Sequence, residues 1–336
     1  MARDGNQSTD GIGGALDVLG RHRRALYGFT LLVSLLTVVL GCAILAGGFA
    51  AAWDAFENVR DYADRNIANE DSYVAYADGG LPPLVRVGAV VSVLLLVLGL
   101  LVVSVLHTAY AVADAHATRD GGPLTTRELW RRTRRLPAAL AVNALTGLAV
   151  GAVELAALVL WGLVESGEVP GVEPTPLGGT ASPQYTLVGW VLPIAVGCLG
   201  PLLYSRLAVA TAETVLERRS PFAALYRSWV LTRRARWRVL GTGALVTAAA
   251  VLVFWPARYA AAPLAHFAGL GMLWLSDDNV WITGVLVLIL PTAVALLLLP
   301  PVVMPLVCAV FARLHGELRA REEDVQSRSD MSSTKR

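Results

Sequence analysis

Six long apolar runs constrain this chain more than any other feature of its sequence. Each is about 20 residues or longer, the length that an α-helix needs to cross the hydrocarbon core of a bilayer. Only 16% of the residues are charged, against about a quarter in a soluble globular chain. The sequence therefore predicts an all-α, polytopic membrane bundle with six transmembrane helices. The predicted spans are 26–53, 87–113, 137–164, 186–212, 239–257 and 281–312.

A shorter apolar stretch, 259–275, follows the fifth span. It is short for a transmembrane helix, and it contains Pro263, Gly269 and Gly271, which are poor helix formers. We expect a re-entrant or interfacial segment here rather than a seventh span.

The placement of arginine predicts the orientation of the chain, because loops on the cytoplasmic side are enriched in basic residues. Arginines cluster before span one, between spans two and three, and between spans four and five. The loop over 54–86 is mainly acidic, and the loop over 165–185 has glutamates but no basic residue. We therefore expect both termini in the cytoplasm, with tails at 1–20 and 319–336 flanking a membrane domain over 21–318. The tail over 319–336 is expected to be disordered.

One pattern recurs after span two and after span four. An acidic residue (Asp114, Glu213) is followed by arginine, by proline (Pro123, Pro221), and by a short segment rich in arginine and tryptophan. The residues before span one resemble a truncated third copy. The pattern predicts three helical hairpins, each entered through a basic interfacial helix on the cytoplasmic side.

The most basic of these segments, RSWVLTRRARWRVLG, occupies 227–241. Ser220 and Pro221 predict a helix start just before it. Phe222, Leu225, Tyr226 and Trp229 then recur at helical spacing as one apolar stripe, which is typical of a helix lying in the membrane interface.

Two interpretations of this segment remain open. It is either an anchor that only fixes orientation, or a site that binds anionic lipid headgroups or a membrane partner. Arginine can bind a phosphate through two parallel hydrogen bonds, which favours headgroups. A nucleic acid partner is not expected, because a helix flush with the membrane is badly placed to read a groove. The candidate headgroup residues are Arg227, Trp229, Arg233, Arg234, Arg236, Trp237 and Arg238.

The segment from 211 to 241 resembles a signature of a large family of prokaryotic six-span membrane proteins. This family is related to the membrane domain fused to some glycerophosphodiester phosphodiesterases, and GGPLTTRELWRRTRR resembles its earlier cytoplasmic element. The resemblance covers 15–318 and implies a six-span protein of a prokaryotic plasma membrane. It does not imply the phosphodiesterase activity, because no soluble segment here is long enough for that catalytic domain. The matching residues are Ala224, Leu225, Arg227, Ser228, Trp229, Leu231, Thr232, Arg236, Trp237 and Arg238.

Glu154 is the one acidic residue well inside a predicted span. An ionisable group at that depth is costly, so it is a candidate functional residue. Asn143, Gly147 and Gly151 share its helical stripe, and the two glycines predict a close helix contact. Three roles stay open for Glu154: a protonated or hydrogen-bonded packing residue, an ion or proton relay, or a salt bridge with Arg258.

Three further features of the sequence carry expectations. Prolines 291, 300, 301 and 305 predict either a kinked sixth span or a broken helix that lines a substrate path. His107 and Arg206 lie near the cytoplasmic ends of their spans and are expected to reach headgroups. The three cysteines lack paired spacing and are expected to be small buried residues.

No GxSxG, HExxH or P-loop motif is present. The sequence therefore predicts no catalytic residue, no cofactor and no metal. Our first hypothesis is a non-enzymatic membrane protein that binds anionic lipid or a membrane partner. The alternative is a transporter or channel that uses Glu154 and the sixth span.

Overall fold

A computed structural model describes residue 13 and residues 19–69, 81–119, 124–132, 136–172 and 182–333. Within these ranges the secondary structure is helical, without strands. In chain order the helices are α1 (Arg23–Asn69), α2 (Leu81–Arg119), α3 (Thr126–Arg132), α4 (Leu136–Glu165), α5 (Pro183–Tyr185, continuing as a π-helix over Thr186–Val191), α6 (Leu192–Leu207), α7 (Ala210–Leu216), α8 (Pro221–Arg234), α9 (Arg236–Ala260), α10 (Ala262–Leu275), α11 (Val280–Val302) and α12 (Met304–Ser333).

Six helical segments are long and apolar enough to cross a membrane, which confirms the predicted fold class. Many of their large apolar side chains are exposed, among them Leu96 (72%), Leu148 (72%) and Leu252 (74%). Apolar surface of this extent is typical of helices that face lipid. The six segments are Arg23–Arg65, Pro82–Ala117, Leu136–Glu165, Pro183–Leu216, Arg236–Ala260 and Val280–Val302.

Two boundaries differ from the expected ones. Helix α1 continues to Asn69, so Asp54, Glu57, Asp61 and Asp64 lie on a helix rather than in a loop. Glu70, Asp71 and Asp78 lie outside the described residues.

The predicted sixth span is two helices. Helix α11 ends at Val302, directly after Pro300 and Pro301, and α12 begins at Met304. Proline has no backbone N–H and clashes with the preceding turn, which explains a break at this point. Helix α12 continues to Ser333 and so corrects the expected disordered tail over 319–333.

The chain divides into two compact units, each described here by itself. The first comprises Met1–Arg23, Ser104–Ala248 and Leu306–Arg336, and the second comprises Arg24–Val103 and Ala249–Pro305.

In the second unit, Ala52, Phe56 and Ile282 form a buried apolar cluster. Asn279 begins α11: its Oδ1 accepts hydrogen bonds from the backbone N–H groups of Trp281 (3.1 Å) and Ile282 (3.2 Å). Its Nδ2 donates to the carbonyl of Phe56 at 3.1 Å, which ties α11 to α1.

The weak apolar stretch, predicted over 259–275, forms helix α10 in the same unit and packs along α11. A Cβ at Gly269 would lie 2.6 Å from Val287 Cγ2, so the two helices approach closely at a glycine. Its length of 14 residues is short for a span, and its re-entrant or interfacial placement stays a prediction.

In the first unit, α4 packs along α6 and α7, and α8 packs against all three. Val142, Ala210 and Ala224 form the buried apolar cluster where these helices meet. This packing positions the basic segment described next.

Candidate functional site

Helix α8 begins as predicted and buries a face made of small and hydroxyl-bearing residues. Ser220 has the extended backbone of an N-cap (φ −66°, ψ 155°), and Pro221 is the first helical residue. The buried face consists of Ala224, Ser228, Leu231 and Thr232. All four lie within the segment 224–232 described above, so this part of the motif packs against protein.

The polar contacts of this face hold α8 to the end of α6. Ser228 Oγ donates to the carbonyl of Arg206 at 2.6 Å. Thr232 Oγ1 lies 3.5 Å from the same carbonyl and donates to the Ser228 carbonyl at 2.8 Å. Because α6 ends at Leu207 and α7 begins at Ala210, the Arg206 carbonyl lies beside a helix break, where Ser228 satisfies it.

The opposite face of α8 exposes aromatic side chains. Phe222 and Tyr226 are each 73% exposed and Trp229 is 41% exposed. Arg233, also exposed, continues the same stripe at helical spacing. Leu225 differs from the prediction, because it is partly buried against the Val142 cluster. Helix α8 therefore has a docked face and an aromatic face that ends in an arginine.

The five candidate arginines are not equivalent. Arg227 forms an ion pair with Glu322, and Arg238 forms one with Glu317. Arg233 and Arg236 are exposed and have no acidic partner among the described residues. The side chain of Arg234 lies outside the described residues.

Arginine and tryptophan also stack on each other at this site. The Arg236 guanidinium lies 5.5 Å from the ring centroid of Trp237, which is 75% exposed. Arg206, expected to reach headgroups, has its guanidinium 4.8 Å from the Trp229 ring. These are cation–π distances. We call the exposed set Phe222, Tyr226, Trp229, Arg233, Arg236 and Trp237 the headgroup surface.

The residues predicted to form an intramembrane polar site lie in three places. Asn143 is buried, donates to Ser104 Oγ at 3.1 Å and accepts from Thr211 Oγ1 at 3.1 Å. This network joins α2, α4 and α7. Arg258 belongs to the second unit, where its Nε donates to Thr292 Oγ1 at 3.2 Å.

Glu154 packs against two glycines of α6, whereas the glycines of its own stripe make no close contact with the described residues. A Cβ at Gly147 or Gly151 would meet nothing within 4 Å, so those two glycines do not make the expected close contact with any described residue. The close approach is made by Gly197 and Gly200 of α6, which face the Glu154 carboxylate. A Cβ at Gly200 would lie 3.0 Å from Glu154 Cδ. Glycine on α6 thus provides the space that the carboxylate occupies.

Sequence reasoning missed a buried charged cluster that joins the two copies of the repeated pattern to α12. Glu213 is 1% exposed, and its carboxylate lies 3.3 Å from His315 Nε2 and 3.3 Å from Arg219 Nε. Asp114 is 9% exposed and has Arg313 and His315 among its charged neighbours. The recurrence of an acidic residue at the same position of both copies could have indicated the two carboxylates. Nothing in the sequence indicated that their partners lie on α12.

Two histidines of the first unit, His107 and His22, are also buried. His107, expected to reach headgroups, is instead 6% exposed, with Cys308 Sγ 3.6 Å from its Nδ1 and the Tyr204 hydroxyl 3.5 Å from its Nε2. His22 faces His116 with 6.4 Å between ring centroids. Burial, and then the nearby His116 and Arg21, lower the pKa of His22. Cys42 and Cys198 are exposed rather than buried, and only Cys308 matches that expectation.

The described residues contain no group of three or more His, Cys, Asp or Glu side chains arranged to hold a metal ion. No protein-family model, curated protein or solved structure matches the chain.

Proposed function

We propose that this chain is a non-enzymatic, multi-pass protein of a prokaryotic plasma membrane that binds anionic lipid at the headgroup surface. The observation that carries the proposal is the division of α8 into two faces. Its docked face fixes the helix against α6, while its other face exposes three aromatic side chains in line with Arg233.

The chemistry of the exposed face fits a phosphate-bearing lipid. Exposed aromatic rings suit the boundary between acyl chains and headgroups. Arginine offers several N–H donors to phosphate oxygens, and each basic residue near an anionic surface contributes about 1 kcal/mol. Arg233 and Arg236 supply that charge without an acidic neighbour among the described residues.

We extend the proposal to orientation and relationship. The arginine distribution supports a cytoplasmic headgroup surface with both termini on that side. The matching signature residues support a relation to the six-span membrane family named above, without its fused phosphodiesterase activity.

A lipid titration tests the proposal. Detergent-purified protein is titrated with phosphatidylglycerol, and the bound lipid is counted by native mass spectrometry. Changing Arg233 and Arg236 to Gln is expected to weaken binding by about 2 kcal/mol, since two basic contacts are lost. Phosphatidylcholine is expected to bind more weakly because it has no net negative charge. Inorganic phosphate is expected to bind more weakly because it has no acyl chains.

The control variant changes Arg65 and Arg86 to Gln. Both are exposed arginines of the second unit, so the change in net charge is the same. Equal weakening in both variants would mean that only overall charge matters. If the variant with both Arg233→Gln and Arg236→Gln binds lipid as wild type does, the proposal is wrong and α8 only anchors the topology of the chain.

Transport is the second candidate function, and the placement of Glu154 supports it. A partly exposed carboxylate within a candidate span, facing two glycines, has the chemistry of a proton or cation site. If the chain conducts protons, liposomes containing it acidify under an imposed pH gradient, and Glu154→Gln abolishes the signal. Glu168→Gln, at an exposed position outside the spans, is the control. Equal flux in wild type and Glu154→Gln would remove the relay hypothesis.

A further inference from the structure

Helix α12 carries acidic residues to the arginines that border the headgroup surface. Glu322 pairs with Arg227 on α8, and Glu317 pairs with Arg238 on α9. The four side chains are between 19% and 28% exposed. These pairs are therefore partly shielded from water, where an ion pair is stronger than at an open surface.

Contacts of the opposite polarity hold the same helix in place. Arg319 of α12 pairs with Glu217, which directly follows α7. His315 lies 3.3 Å from Glu213 of α7. Helix α12 thus makes four ionic contacts, with α7, the residue after it, α8 and α9, and two of them place a carboxylate of α12 on an arginine.

Arg227 lies on the flank of α8. It follows Tyr226 directly, which on a helix places it between the aromatic face and the docked face, where it contacts Glu322. A carboxylate and a phosphate bind the same kind of guanidinium donor, so Glu322 competes with a phosphate for Arg227 and compensates its charge.

We propose that Glu322 and Glu317 are internal competitors for the lipid phosphate: α12 occupies Arg227 and Arg238 and so restricts the headgroup surface to Arg233 and Arg236. This inference rests on the proposed function and adds a regulatory contact to it. Release of the two carboxylates extends the anion site by two arginines.

The test compares two adjacent glutamates of α12. Glu322 contacts Arg227, whereas Glu323 is 71% exposed and, among the residues that the structure describes, forms an ion pair only with Arg319 of its own helix, at 3.7 Å. Glu322→Gln and Glu323→Gln make the same change in charge at neighbouring positions. Phosphatidylglycerol affinity, measured by native mass spectrometry, is expected to rise about fivefold in Glu322→Gln, the factor for one added basic contact. Glu323→Gln is expected to match wild type.

A second variant keeps the Glu322→Gln substitution but removes the arginine that it is proposed to release. In an Arg227→Gln background, Glu322→Gln is expected to give no gain, because no arginine is released. The inference is overturned by equal effects of the two glutamate variants, or by a gain that persists without Arg227.

The outcomes separate this inference from the proposed function. If Arg233→Gln with Arg236→Gln weakens binding but Glu322→Gln equals wild type, the headgroup surface stands and the competition is wrong. If Glu322→Gln gains affinity while the arginine variant of the headgroup surface changes nothing, the competition stands and the binding surface is Arg227. If neither wild type nor Glu322→Gln binds the lipid, both are wrong.

Discussion

At the scale of the residue, two glycines separated by a single residue differ in their surroundings. Gly243 of α9 meets α6: a Cβ there would lie 2.5 Å from Ser205 Cβ and 3.1 Å from Ser205 Oγ. A Cβ at Gly241 would meet nothing within 4 Å. The local sequence, Gly-Thr-Gly, does not distinguish the glycine that faces another helix from the one that does not. That information depends on how two distant segments pack, and for the same reason Gly147 and Gly151 were predicted to make a contact that Gly197 and Gly200 make instead.

We expect Gly243→Ala to destabilise the protein and Gly241→Ala to be neutral or slightly stabilising. The methyl group at 243 forces the close contact apart, which costs about 1–3 kcal/mol in a packed interior. At 241, alanine is simply the better helix former. We would heat the detergent-purified protein and measure the temperature at which half of its monodisperse fraction is lost. A Gly243→Ala midpoint at or above that of Gly241→Ala would contradict the close approach.

At the scale of the element, the start and the aromatic stripe of α8 were predictable because they depend on local sequence. A serine followed by proline begins a helix, and apolar residues at helical spacing share a face. The docked face was not predictable, because Ser228 and Thr232 carry no hydropathy signal and their partner is a backbone carbonyl at a helix break. A hydroxyl-rich motif on an interfacial helix is therefore evidence for a docking face as well as for a ligand.

The same reasoning explains why α12 was misjudged. Its last 15 described residues are rich in charge, which resembles a solvated tail. Their partners are far away in sequence: Arg319 pairs with Glu217, and Glu322 pairs with Arg227. Composition gives the number of charged residues in a segment. Ion pairing depends on which residues of the other sign the fold brings next to them.

At the scale of the whole molecule, hydropathy was sufficient to predict the number of spans. Each span satisfies its own backbone hydrogen bonds, so its existence depends little on the rest of the chain. Orientation is predicted from loop charge alone, because arginine-rich loops stay on the cytoplasmic side.

We expect a cysteine at Ser166 to react with a membrane-impermeant maleimide in intact cells, and a cysteine at Ser220 to react only after permeabilisation. Both serines are exposed and lie between candidate spans. The native cysteines are first replaced, because Cys42 and Cys198 are exposed. Labelling of Ser220→Cys alone in intact cells would reverse the predicted orientation.

The buried charged cluster has a consequence for how the protein is made. Asp114 and Glu213 enter the nascent chain early, whereas Arg313 and His315, which face them, are synthesised only with α12. A buried carboxylate without its cation is unfavourable, so the first unit cannot complete its interior while translation is still upstream of α12. Translation of α12 therefore sets the time at which the first unit can close. A chain interrupted before it would keep Arg219 beside Glu213 but would lack Arg313 and His315, so the buried carboxylates would be compensated only in part.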